Sequence, residues 1–461
     1  MSDWPCGSTC SRLTTPQFAA ALRRGLGRAV LHARDGLSPE ALTELRRWYD
    51  ESPAYDKQIE ECRAEQIVAI ADLSADLATV RARTLANLRD SSLRRDWYPG
   101  HHVVALAAIL IDRGDEEIKQ ELWRLLETGA ARRQYLGAFE LVDGIDGLIR
   151  VASIVGADAP PEERWRMTSL FHNVSDSLQT GKGPEAEARA QRLVRDRLEG
   201  AAQTDERVSG FLRTLDAPPE TREDDELDRL APTVDAFIGY LRRAHGLKNE
   251  RYPPAGIRRW ARRVEQSEVE RAAEVFEQAS DPAIARGLSE IWWTGKPVYP
   301  RPIDVLVARA ADPNTPSRGS YQRVLSHVDD ERVRELALSL IECGDIGFYT
   351  LDMLPRHVRD EDLPLLQRKV LDVQWTDERM LHRLCVELNR CCEARRCAAW
   401  NSVARWVYEM APSSFCRGRA FEFLYEFGGA TLDLIEEAKH DADELTRELA
   451  RGIRSTDLSE G

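Results

Sequence analysis

Residues 327–345 read HVDDERVRELALSLIECGD. Apolar side chains recur at Val333, Leu336, Ala337, Leu340 and Ile341. That i, i+3, i+4, i+7, i+8 series lays one apolar stripe along a helix, unlike the period-2 alternation of a half-buried strand. Asp329 and Asp330 precede the stripe as N-cap material, and Gly344 follows it as a stop. One such helix cannot hide its stripe alone, so the flanking sequence must supply helices to pack on it.

The flanking sequence repeats the pattern. Thirty residues on, His357 opens HVRDEDLPLLQRKVL, in which Leu363, Leu366 and Val370 take the places of Val333, Leu336 and Leu340. Upstream, GDEEIKQELWRLLETG from Gly114 puts Ile118, Leu122, Leu125 and Leu126 on one face. SDPAIARGLSEIWWTG from Ser280 does the same with Ile284, Leu288 and Ile291. Each copy predicts an acidic cap, about four helical turns and, in most, a terminal glycine. Helical hairpins recurring at irregular intervals of roughly 30 to 50 residues are the mark of stacked repeats. Strand signals are scarce. The expected fold class is all-α, a right-handed α-solenoid.

The His327 copy resembles the second helix of HEAT repeats, through Asp330, Val333, Arg334 and Ala337. The resemblance implies that Asp330 and Arg334 tie neighbouring repeats together. Other copies depart from it: Lys119 stands for the arginine, and Gln367 for the alanine. Two further segments, PAYDKQIEECRAEQI and the later SSFCRGRAFEF, resemble an uncharacterised group of bacterial HEAT-like proteins. Tyr55, Asp56, Gln58, Glu60, Arg63 and Ala64 fit the first segment, and Phe415, Cys416 and Arg417 the second, with Ser413 in place of a cysteine. The resemblance implies a fold and carries no activity.

Composition narrows the classes. The chain has 461 residues, 43% hydrophobic and 31% charged, with a formal charge of −14. These values describe a folded chain too long for one ordinary core. The negative balance argues against a general nucleic-acid binder, which needs clustered lysine and arginine. No apolar run approaches the roughly 20 residues of a membrane span. The opening MSDWPCGSTCSRLTTPQ lacks the basic flank and apolar region of a secretory signal. The nine cysteines follow no disulfide-framework spacing, which points to reduced thiols and a cytoplasmic setting.

The expected organisation is an N-terminal helical region (1–95), a first repeat block (96–215), an acidic linker (216–229), a C-terminal HEAT-like solenoid (230–455) and a frayed tail (456–461). The linker contains DAPPETREDDELDR. PQFAAALRRGLGRAVLHARDG, from Pro16, reads as one helix with Phe18, Leu22, Leu26, Val30 and Leu31 along one side.

Chemical signatures are thin. Phosphate-loop, zinc-protease, nucleophile-elbow and dinucleotide motifs are all missing. Cys385, Cys391, Cys392, Cys397 and Cys416 lack paired metal-ligand spacing and read as core thiols. No catalytic residue, metal or cofactor is therefore expected. Two patches are candidate partner-binding groups. Asp56, Glu60 and Arg63 share a helix face, with Tyr55 and Gln58 close by; a salt-bridge network is the simpler reading of that face. Trp292 and Trp293 point to opposite sides of a helix. One is expected in the core, and the other with Tyr299 and Arg301 as an aromatic-plus-arginine hot spot.

The functional expectation is a non-enzymatic scaffold or adaptor that binds another macromolecule, most simply a protein, along a concave face. The alternative is a HEAT-like DNA-handling protein of the DNA-glycosylase type. Its one foothold is RYPPAGIRRWARR, Arg251 to Arg263.

Overall fold

The computed structural model describes residues 12–55, 63–90, 97–128, 142–156, 164–178, 183–216, 230–245, 254–293, 297–347 and 349–453. Every regular element among them is helical, and no strand occurs. None of these helices is long and apolar enough to cross a membrane. The chain divides into two compact units, one drawn from residues 5–219 and 432–455, the other from 220–431. The acidic segment 217–229 and the tail 454–461 lie outside the described residues.

The opening stretch forms the helix Glu331–Glu342, with Val333, Leu336, Ala337, Leu340 and Ile341 all buried. Asp330 caps it by accepting from the Arg332 N–H, and Gly344 ends it at φ 77°, a left-handed conformation that costs glycine little. The Gly114 and Ser280 copies form Glu116–Glu127 and Pro282–Trp292, each capped by its aspartate, Asp115 and Asp281. The His357 copy departs from expectation. It breaks into a 3-10 turn (Asp360–Asp362), one α turn (Leu363–Leu366) and a π turn (Gln367–Leu371). It has no stop glycine, and the Asp372 N–H reaches back five residues to the Gln367 carbonyl, absorbing an extra residue in the last turn. Leu366 and Val370 still reach the core, while Leu363 is only half-buried.

In the second unit, successive helices alternate between two layers. Pro282–Trp292 packs on Arg318–Leu325, which packs on the 3-10 turn Leu351–Met353, then come Glu378–Arg395 and Ser414–Glu426. The opposite layer runs from Asp304–Ala311 through Glu331–Glu342 to Leu363–Leu366. The first unit repeats this plan. Arg28–Arg34, Arg63–Leu73 and Trp97–Asp112 pack in one row, with Leu77–Arg89 and Glu116–Glu127 beside them.

Ion pairs bind each hairpin to the next. Arg46 grips Asp76 through two bonds of 2.5 and 2.9 Å. Arg81 grips Asp115 at 2.5 and 3.2 Å, and Lys119 reaches Asp143 at 2.6 Å. Asp76, Asp115 and Asp143 each stand at the N-cap of a helix. Each rung therefore places a cation against the positive end of a helix only through the carboxylate between them. The second unit has the same device in Arg334, which binds Asp362 at 2.5 and 3.1 Å and Glu361 at 2.7 Å. Lys119 thus reaches the next N-cap aspartate, as Arg334 does.

Two expectations need correction. The N-terminal stretch forms two helices, Thr15–Arg24 and Arg28–Arg34, not one. The Ala442 N–H donates to the Gly25 carbonyl at 2.8 Å, and a Cβ added at Gly27 would lie 1.9 Å from the Glu437 carbonyl oxygen. The chain must turn there to admit residues 437–442. The last helices, Leu432–Ala438 and Glu444–Gly452, accordingly join the first unit and not the block beginning at 230. Arg28 pairs with Glu437 at 2.8 Å, and Gln66 donates to the Leu26 and His440 carbonyls.

Candidate functional site

The double tryptophan at the end of Pro282–Trp292 divides as helix geometry demands. Trp292 is 1% exposed, packed on Phe276 and edge-on to Tyr299. Tyr299 turns inward with it, donating its hydroxyl to Glu277 at 2.9 Å, and Arg301 pairs with the same carboxylate at 3.1 Å. Trp292 and Tyr299 are therefore core residues, beyond the reach of a docking partner. Trp293 points the other way, and the Arg323 guanidinium lies 3.8 Å from its ring centroid. Arg323 also pairs with Glu290, and its guanidinium lies 5.9 Å from the Tyr349 ring centroid. This stack is worth up to about 2 kcal/mol where water is excluded.

From Trp293 a polar cluster extends along the same layer. His327 follows the helix Arg318–Leu325, with Arg323, Asp352, Arg356 and Arg390 all near enough to act on its charge. Burial first, then the surrounding arginines, pull its pKa down to about 4, so the imidazole is neutral at pH 7. Asp352, on the turn Leu351–Met353, receives Arg383. Glu387, on Glu378–Arg395, is fully buried beside the Asp352 carboxyl. Desolvation and then that neighbour push its pKa up to about 8. At neutral pH, Glu387 therefore keeps its proton, since a buried carboxyl beside a second carboxyl ionises only at a cost. Arg383 approaches Glu387 at 3.3 Å, and Arg390 binds it at 3.0 Å.

Of the sequence-predicted residues, Asp56, Gln58 and Glu60 lie outside the described residues. Tyr55 is half-buried. Arg63 is 1% exposed at the start of Arg63–Leu73, where its guanidinium fills the space a Gly25 side chain would need. That places Arg63 inside the junction between the two ends of the chain. Cys385, Cys391, Cys392 and Cys416 are buried, and burial raises the Cys391 and Cys392 thiols, which makes them poor nucleophiles. Among the described residues, no group of three or more metal-ligating side chains converges. In the Arg251–Arg263 stretch, Trp260 stacks on Phe237 at 4.3 Å and donates to the Ala231 carbonyl, so its indole is core and unavailable to a nucleic-acid groove.

Sequence reading missed Arg323, His327, Asp352, Arg383, Glu387 and Arg390. One signal was present. Glu387 interrupts the apolar face made by Leu384, Leu388 and Cys391, where a carboxylate has no business without partners. In the first unit, a depression of about 470 Å³ is lined by Arg81, Arg113, Asp115 and Glu117. Their charges are spent on Arg81–Asp115, Arg81–Glu117 and Arg113–Asp72, which leaves a structural rung and not a binding site.

Comparison with family models, curated proteins and solved structures returns no match.

Proposed function

We propose that this protein is a HEAT-like helical-repeat scaffold that binds a protein partner along the layer carrying Trp293 and the His327 cluster. Stacked hairpins present long open rows of side chains and little enclosed volume, a geometry suited to extended partners. The cation-to-N-cap rungs at Asp76, Asp115, Asp143 and Asp362 support the repeat reading, because each joins a hairpin to its neighbour through the residue types the HEAT resemblance implies. The observation that carries the binding reading is Trp293 beneath Arg323. The half-buried Trp293 ring, held against the buried Arg323 guanidinium, is an aromatic-and-arginine pair of the kind that concentrates binding energy at protein interfaces.

The test is site-specific photo-crosslinking. A photoreactive residue replaces Trp293 in one protein and Glu342, exposed on the opposite layer, in another. The expected result is one dominant partner captured at 293 and not at 342. That partner, once purified, binds at least ten-fold more weakly to Trp293→Ala. Identical adducts at both positions, or undiminished binding to Trp293→Ala, overturn the reading.

A further inference from the structure

We infer that the His327 cluster docks an acidic, extended segment of the partner chain. The inference rests on the scaffold reading and adds the chemistry of what is bound. The molecule as a whole is strongly acidic at −14, which on its own suits basic partners. Locally the balance reverses. Arg323, Arg356, Arg383 and Arg390 gather around His327 and Asp352, with Glu290 and Glu387 as the other carboxyls. Four guanidiniums thus stand against three carboxyls, and positive charge is locally in excess.

The cluster is also graded in depth. Its floor is buried and ion-paired: Glu290 fixes Arg323, and Asp352 fixes Arg383. Its rim is open. Arg356 is exposed, and Arg390 is 51% exposed while Glu387 and Asp352 hold its Nη1 atom. An arginine anchored at one edge loses little rotamer freedom when a carboxylate takes the other, so the rim is pre-organised for forked binding. On the next element, Phe415 is 52% exposed beneath the Arg419 guanidinium, and Arg419 is paired with Glu393, one turn beyond Arg390. A basic and aromatic row of this kind suits a chain that alternates acidic and apolar side chains. A segment that merely needed apolar burial would find no reason to settle over Arg356 and Arg390.

The probe is a fluorescein-labelled decaglutamate peptide, with decalysine as its counterpart, titrated into the full-length protein and read by anisotropy at 20 and 150 mM salt. Decaglutamate is expected to bind at least ten-fold more tightly than decalysine, and to weaken several-fold at the higher salt. Arg356→Glu with Arg390→Glu should cost at least a further ten-fold. Arg356→Ala alone, at an exposed position, should cost two- to five-fold with an unchanged melting curve. Equal binding of the two peptides, or binding untouched by either variant, overturns the inference. If the partner crosslinked at position 293 binds the double variant undiminished, the acidic segment is wrong while the scaffold reading stands. If decaglutamate binds as expected but no partner is captured at 293, the scaffold reading fails and the acidic specificity stands.

Discussion

Two junctions in the second unit, made from the same residue types, solve opposite problems. Around Arg334, one cation sits among Glu331, Glu361 and Asp362, and every carboxylate finds the guanidinium or a backbone donor. Around Glu387, two carboxyls are pressed together and Arg383 and Arg390 must serve both. The first arrangement is complementary and holds neighbouring helices together. The second is frustrated unless one carboxyl stays protonated, and shifted groups of that kind are enriched at functional sites.

The largest effect that separates them is expected from Arg334→Ala. Asp362 is 3% exposed, and without the guanidinium its carboxylate is left buried against Glu361. Removing one partner of a buried pair costs about 3–5 kcal/mol, whereas replacing both with apolar groups is close to neutral. Urea unfolding should therefore place Arg334→Ala far below the parent, and Arg334→Met with Asp362→Leu most of the way back. Equal loss in both variants would mean that the rung works through packing and not through charge.

The Glu387 junction predicts a pH signature. The folded-state pKa of Glu387 is raised from 4.5 to about 8, so between those values the folded protein binds the extra proton and stability falls as pH rises. The His327 pKa is lowered from 6.5 to about 4, so between those values the unfolded chain binds the extra proton and stability rises with pH. The two slopes oppose each other between pH 4.5 and 6.5. Of these two groups, only Glu387 acts well above 6.5, at no more than about 1.4 kcal/mol per pH unit. Parent stability should thus lose about 1–2 kcal/mol between pH 6.5 and 8, and Glu387→Gln should abolish that loss. The same variant should unmask His327, together with the lowered His32 and His440, as a fall in stability when pH drops below 6.5. A Glu387→Gln profile parallel to the parent would place the proton elsewhere.

The contrast also marks what sequence can carry. The stripes at Val333, Ile118 and Ile284 were legible because helical periodicity is local, and every residue the spacing chose is buried. The cation at position +4 from a capping aspartate was legible at Arg334 and discounted at Lys119, though both reach the next cap. The partnership of Asp352 with Glu387 was not legible, since nothing in either local sequence says that two turns of chain will converge. The same holds for Ala442 against Gly25 and Glu437 against Arg28, where the two ends of the chain meet. Periodicity names the face that is hidden. It is silent about what hides it when the partner is hundreds of residues away.

The smallest expected effect sharpens the first comparison. Lys119 and Arg334 hold equivalent rungs, but Lys119 and Asp143 retain 25% and 34% of their side-chain exposure, against 9% and 2% for Arg334 and Asp362. An ammonium makes one bond where the guanidinium makes a fork, and water can replace it at the Asp143 carboxylate. Lys119→Ala should therefore cost about 0.5 kcal/mol, and that loss should vanish in 1 M salt, where charges are screened within about 3 Å. Lys119→Arg, given room to fork, should hold or slightly exceed the parent. If Lys119→Ala costs as much as Arg334→Ala, rung strength is set by topology and not by burial, and the distinction drawn between the two buried junctions loses its physical basis.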